Sequence, residues 1–251
     1  MNSDYQLTFI SQENFESHVL NTISSYSDSL KGIDLNSFNS NVIDPIKLLF
    51  DKEVFNLSFE ETINAELQRQ RDKHNTNAIG YFHQNIFKYI DNCTVPQQGW
   101  DIIFHSQSHD IYVEMKNKHN TMNSSSSQKT YMRMMAKVLE DERCECFLVE
   151  ALAPKSRNII WSCSLDGKNF QVPQIHRVSI DQFYKIVTGN DNAFFDLCQQ
   201  LPKTIHKVIQ LEGVRLLEKD TVLQELHQIN PDVLTALYIL AFKTYEGFDR
   251  L

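Results

Sequence analysis

The run Asp110-Ile-Tyr-Val-Glu-Met-Lys116 constrains this chain more than any other stretch. Side chains alternate between faces along a strand. Ile111, Val113 and Met115 therefore turn to one side, into a core, while Glu114 and Lys116 stand together on the other. Upstream, Gly99-Trp-Asp-Ile-Ile-Phe104 puts Asp101 on a second short apolar strand, with twelve residues between it and Glu114. Two antiparallel neighbours joined by the polar turn His105 to His109 fit that spacing. An Asp, a Glu and a Lys converging from two strands can hold a divalent metal and prepare a water for attack on phosphate.

The plainer reading of these residues is an amphipathic edge strand with an exposed Glu–Lys pair of little energetic value. Charge distribution favours the chemical one. The chain carries a net −8, yet Met115 to Leu139 holds Lys116, Lys118, Lys129, Arg133 and Lys137 and no acid. Since the whole sums to −8, the other 226 residues carry −13. A basic surface thus begins inside the candidate site, and the acidic remainder limits unproductive contact with a polyanion.

With 251 residues the chain is long enough for one large domain with ample core. We read residues 1–251 as a single domain, with a catalytic core at about 60–180 and helical flanks at 1–59 and 181–251. No apolar stretch approaches the roughly 20 residues that span a bilayer. Met1 to Leu7 lacks the layout of a signal peptide. Five cysteines without a pairing framework point to reduced thiols and a cytoplasmic location. Cys144, Cys146 and Cys163 have no Cys-x-x-Cys partner, so zinc is not expected, and Cys146 reads as a buried thiol.

The order of elements predicts an α/β fold, a mixed sheet flanked by helices. Short helices fill the first fifty residues, with Phe15, Val19, Leu20 and Ile23 at helical spacing. Ser58 and Glu61 form a capping-box signature for a long helix, which Asn75-Thr-Asn77 is expected to interrupt before a second helix from Ala78 to Tyr89. After the site strands and the polar loop Asn117 to Ser125, a helix is expected from about Ser126 to Glu140, with Lys129, Arg133 and Lys137 along one face. Strands are expected at Cys146 to Leu152, Ile159 to Cys163 and Gln174 to Ser179. Helices follow at Asp181 to Val187, Ala193 to Gln200 and Thr221 to His227, with Asn230-Pro231 capping a last one through Ala241.

Asp101 and Glu114 would supply two carboxylate oxygens to Mg²⁺, and the Met115 carbonyl a third. Lys116 would orient the attacking water and help deprotonate it, with the metal stabilising charge on the phosphate. Asn117, Lys118, Asn120, Asn123, Lys129 and Arg133 are rich in groups that bond phosphates and base edges. Lys129 and Arg133 are expected to hold phosphates rather than bases. Gln128 and Tyr131, at the start of the same helix, are expected to support the site from behind.

These residues resemble the type II restriction endonucleases of the PD-(D/E)xK superfamily. Asn77-Ala-Ile-Gly-Tyr-Phe-His-Gln84, Gly99-Trp-Asp101 and Val113-Glu-Met-Lys-Asn-Lys-His-Asn-Thr-Met-Asn123 are similar to the enzymes that cut GGNCC-class palindromes. The likeness covers roughly residues 60 to 150, and the block after Lys116 is its specific part. It implies Mg²⁺-dependent hydrolysis of both DNA strands, a homodimer, and a cognate DNA methyltransferase in the same bacterial cell. The superfamily's usual Pro before the first Asp is Trp100 here, a tolerated change because that Pro has no chemical role. Many relatives place a Glu a few residues after a Gly on the preceding helix; here Gly80 is followed by His83-Gln84. Gln84 then stands as a supporting residue, and Glu66 as a substitute acid or, more simply, a solvated helix residue.

Two rival readings remain at this level. One is a PD-(D/E)xK nuclease with another task, such as DNA repair; the other is a DNA-binding homologue without the chemistry. The helices from Thr221 to Phe242, with Leu223, Leu226, Val233, Leu237, Ile239 and Leu240, suit either dimer packing or ordinary core.

Overall fold

The computed structural model of the chain describes residues 5–40, 42–119, 122–165, 167–213 and 218–242. They gather into two compact units, one built on the chain up to Ile23 and on Ala78–Gly213, the other on Ser24–Asn77 and the chain from Val214 onward. The first unit therefore takes in the start of the chain and the region just beyond residue 180, and leaves out residues 60–77. The helices are α1 (Gln12–Asp28), α2 (Leu35–Asn39), α3 (Pro45–Phe55), α4 (Phe59–Asn85), α5 (Ser124–Glu140), α6 (Ile180–Thr188), α7 (Ala193–Glu212), α8 (Val222–Ile229) and α9 (Val233–Phe242). The strands are β1 (Cys93–Thr94), β2 (Ile102–His105), β3 (Asp110–Lys118), β4 (Glu145–Leu152), β5 (Asn158–Leu165) and β6 (Lys168–Ser179).

The six strands form one mixed sheet in the order β1-β2-β3-β4-β6-β5, an α/β fold as expected from the PD-(D/E)xK resemblance. β1, β2 and β3 pair antiparallel. β3, β4 and β6 run parallel, with α5 as the crossover between β3 and β4, and β5 closes the far edge antiparallel to β6. The alternation read in β3 sets its two faces. Ile111, Val113 and Met115 join Phe147 and Val149 in a core with Phe15, Ile86, Phe87, Phe183 and Leu197. Tyr112 faces the other way, beside Cys146, Leu148 and Trp161, beneath Tyr131, Met134 and Val138 of α5. Each large side chain removed from water here contributes roughly 1.5–3 kcal/mol.

In the second unit, Phe38, Leu48, Ile63 and Leu67 pack with Val222, Leu226, Val233, Ala236 and Leu237. The apolar positions of α8 and α9 are thus spent largely on core, the plainer of the two readings of that region. The capping box forms as expected: Ser58 N–H donates to Glu61 Oε2 at 2.8 Å and Glu61 N–H to Ser58 Oγ at 3.2 Å.

Several boundaries differ from the sequence expectation, β6 among them, which begins at Lys168 rather than Gln174. Asn75-Thr-Asn77 does not interrupt α4, which runs unbroken to Asn85. Arg71 Nε donates to Ser29 O at 2.9 Å and His74 Nε2 lies 2.9 Å from Ser25 O, so tertiary bonds override the weak local propensity. α7 continues past Gln200 with Pro202 inside it, carried by buried Leu197, Thr204 and Val208. α9 is capped by Asp232 rather than by Asn230: Thr235 N–H donates to Asp232 Oδ2 at 3.1 Å.

Candidate active site

Asp101 lies immediately before β2 rather than within it, and it still pairs with β3. Its N–H donates to Val113 O at 3.0 Å, the residue that Ile102 already faces in the ladder, so Asp101 and Ile102 share one partner on β3 as in a bulge. The chain reaches that position through Gly99, whose φ of +94° suits a residue without a Cβ. Asp101 Oδ2 then accepts the Met115 N–H at 2.7 Å. The N–H and C=O of a strand residue point the same way. The Met115 carbonyl is therefore aimed to the same side as Asp101, past the point where β2 begins. Gln84 Nε2 donates to the Asp101 carbonyl at 3.2 Å, which places the expected supporting residue against the main chain of the site.

Glu114 is largely withdrawn from solvent, its side chain 15% exposed. Its two oxygens are shared between cations: Lys116 Nζ sits 2.8 Å from Oε1 and Arg133 Nη1 3.2 Å from Oε2. Arg133 comes from α5 and lies over Trp100, its guanidinium carbon 4.0 Å from the ring centre. Trp100 in turn packs on Tyr112 at 5.5 Å, and Lys137 Nζ stands 4.6 Å above the Tyr112 ring. Aromatic faces attract cations. The ladder therefore holds two positive charges at the rim of the carboxylate pair.

Burial pushes the Asp101 carboxyl above the usual aspartate range, and the charge on Glu114 acts in the same direction. The Met115 N–H, Lys116 and Arg133 oppose that rise. Two carboxylates and one main-chain carbonyl are hard oxygen donors of the kind Mg²⁺ takes with several waters. Among the described residues no three His, Cys, Asp or Glu side chains group closely enough to hold a metal ion. The donor set fits the ion.

The other expected contacts are distributed as follows. Asn117 and Lys118 end β3, with Lys118 exposed. Asn120 lies outside the described residues. Asn123 caps α5, its Oδ1 accepting the Ser126 N–H at 2.8 Å, so the helix begins at Ser124 rather than Ser126. Lys129 is exposed, while Arg133 and Lys137 fold over the aromatic pair. Gln128 Nε2 donates to Ser164 O on β5 at 2.9 Å, away from the carboxylates. Tyr131 is fully buried, and its hydroxyl accepts the Val172 N–H at 3.1 Å. Glu66 is not the solvated residue of the plainer reading: it is buried in the second unit, with Arg69 Nε on Oε2 at 2.7 Å and Gln70 Nε2 on Oε1 at 3.2 Å.

Sequence reasoning missed a second polar group on the α5 face. Glu150 of β4 is the register partner of Lys116 and is 1% exposed. Its carboxylate receives Arg157 Nη2 at 2.5 Å and Arg177 Nη2, and His119 Nδ1 lies 2.9 Å away. The signal was present: Glu150 is the one acid inside the apolar run Cys146 to Leu152. A buried charge requires partners. Trp100 was likewise passed over, as a neutral replacement for Pro.

Comparison with known sequences gives a consistent result. The family model described as Eco47II restriction endonuclease matches residues 7–210. A type II restriction enzyme of Staphylococcus aureus, Sau96I, is 32% identical over 230 residues, covering 88% of this chain and 88% of its own. A type II restriction enzyme of Escherichia coli, Eco47II, is 27% identical over 231 residues, covering 87% of this chain and 96% of its own.

Proposed function

Since the chain belongs to the Eco47II restriction endonuclease family, we propose that it is a type II site-specific deoxyribonuclease cutting both strands of DNA at a GGNCC-class palindrome with Mg²⁺. The observation that carries this reading is that Asp101, locked to the Met115 N–H, lies beside the β3 stretch that bears Glu114 and Lys116. A palindrome presents the same half-site twice about a twofold axis, so a homodimer with one such site per strand matches it. A cell carrying this activity in its cytoplasm protects its own DNA with a methyltransferase of the same specificity.

Asp101, Glu114 and the Met115 carbonyl would hold the metal. Bound there, it supplies neutralising charge for the scissile phosphate and a water of lowered pKa. The chain's own residues do the rest. The Met115 N–H fixes one Asp101 oxygen and leaves the other for the cation. Lys116, freed from Glu114, turns its ammonium to the attacking water and favours its hydroxide form. The water oxygen bonds to phosphorus as its proton passes to solvent, one ester bond breaks with its electron pair on the departing oxygen, and that oxygen takes a proton from solvent. Arg133, supported by the Trp100 ring, moves from Glu114 to the phosphate and keeps the backbone in register.

Digestion of a fully sequenced plasmid with purified protein, with Mg²⁺ and with EDTA, tests the reading. Discrete fragments ending at GGNCC-type sites and absent in EDTA are expected. Discrete ends at another sequence would keep the enzyme and discard the target. A smear would indicate a nuclease without site specificity, and intact plasmid with every divalent metal would remove the activity.

A further inference from the structure

Glu150 is almost fully buried yet carries more positive charge than it can neutralise. Two guanidiniums, Arg157 and Arg177, converge on this one carboxylate, with His119 against the same atoms: its Nδ1 lies 3.2 Å from Arg157 Nη2 and 3.0 Å from Arg177 Nη2. The carboxylate is held below the usual glutamate range by these three partners against the effect of burial, so it is ionised at neutral pH. The cluster therefore carries at least one unit of uncompensated positive charge. Among the described residues no hydrogen bond engages the Nε or Nη1 of either arginine. Both Nε atoms are buried, and the side chains as wholes are 13% exposed at Arg157 and 21% at Arg177. An isolated ion pair has no need of the second guanidinium.

Its position says what the surplus is for. Lys116 pairs with Glu150 and Glu114 with Leu148 across β3 and β4, and Leu148 pairs with Arg177 across β4 and β6. Arg177 thus lies on the same face as Glu114, two strand spacings or roughly 10 Å away. A DNA strand carries a charge about every 3.4 Å of helix axis, so a separation of roughly 10 Å is about three phosphate intervals. The main chain is braced as well: Arg157 N–H donates to Ser179 Oγ at 2.9 Å, and Ser179 N–H to Arg157 O at 2.9 Å. Forks held by a buried carboxylate are oriented before the ligand arrives, which suits phosphate recognition.

We propose that Arg157 and Arg177, oriented by Glu150, form a binding subsite for a DNA backbone phosphate flanking the scissile one. This rests on the nuclease reading above. The contact reads charge and not sequence, so it serves cognate and non-cognate duplexes alike.

The test is binding of a labelled duplex with a GGNCC site, and of one without, in EDTA at 50 to 200 mM salt. For Arg157→Gln and Arg177→Gln, each lost contact lowers the slope of log K against log salt by about 0.9, and affinity falls equally on both duplexes. The affinity lost between 50 and 200 mM then shrinks by about 3.5-fold per contact. Arg177→Lys, which keeps the charge, retains the slope. If a Gln variant fails to fold, the unaltered protein still decides the matter. Neutral methylphosphonates placed singly beside the mapped cut should reproduce the slope change at one position, and none of them doing so overturns the proposal. An unchanged slope in a folded variant would make the cluster purely structural. A loss confined to the cognate duplex would make it a base reader. Either result, in a protein whose parent still cuts DNA, removes the subsite and leaves the nuclease; a parent that neither binds nor cuts removes both.

Discussion

Asp101 Oδ2 accepts the Met115 N–H at 2.7 Å, so one acid is locked to the strand that carries the other acid and the lysine. This bond does more than brace the edge of β2. It fixes the Asp101 carboxylate against β3, on the side to which the Met115 carbonyl points. The arrangement depends on the turn just before it.

Gly99 makes that turn at φ +94°, and a Cβ there would meet nothing within 4 Å. Gly99→Ala therefore introduces backbone strain without a clash, at about 1 kcal/mol. We expect melting lower by a few degrees and a slower cleavage step, as Asp101 is displaced. Calorimetry together with single-turnover cleavage checks both; unchanged values in the two would show that the turn does not set Asp101.

Trp100 supplies the surface on which Arg133 lies. Removing the ring by Trp100→Ala forfeits a cation–π contact of about 1 kcal/mol. The expected result is a KM for DNA raised about fivefold with a smaller change in kcat, and Trp100→Phe should recover most of it. A fall in kcat at constant KM would instead place Trp100 in the chemistry.

The acid side of the stability profile should carry the mark of His83. Burial, with His18 nearby, pulls this imidazole down to about 4 from an ordinary 6.5. Between those values the unfolded chain binds the proton and the folded chain does not, so stability is full above pH 6.5 and is lost as pH falls toward 4. His83→Gln removes this contribution to the slope in that window. Denaturant melts from pH 4 to 7 measure it, and a slope identical to the parent's would rule out His83 as its source.

Much of this was legible in the sequence because the information is local. Period-two alternation in β3 gave the opposing placement of Val113 and Glu114, and the capping box gave the start of α4. What escaped depended on partners far along the chain. The register of β4 decides that Glu150 faces the Lys116 side, and Arg157 and Arg177 reach it from 7 and 27 residues away. Propensity at Asn75-Thr-Asn77 was outweighed by bonds to the segment at Ser25 and Ser29, which no window around residue 76 contains. Gln128 faces β5 because a helix start fixes neighbours in sequence, not the strand beneath them.

The most direct measurement is single-turnover cleavage of a duplex with one GGNCC-class site, comparing the parent with Asp101→Asn in Mg²⁺. The asparagine amide oxygen can still accept the Met115 N–H, so the fold should be kept while the charge at the metal position is lost. The account predicts a rate lower by on the order of 10²–10³, with DNA binding in EDTA and the melting temperature little changed. Cleavage by the variant at the parental rate would contradict it.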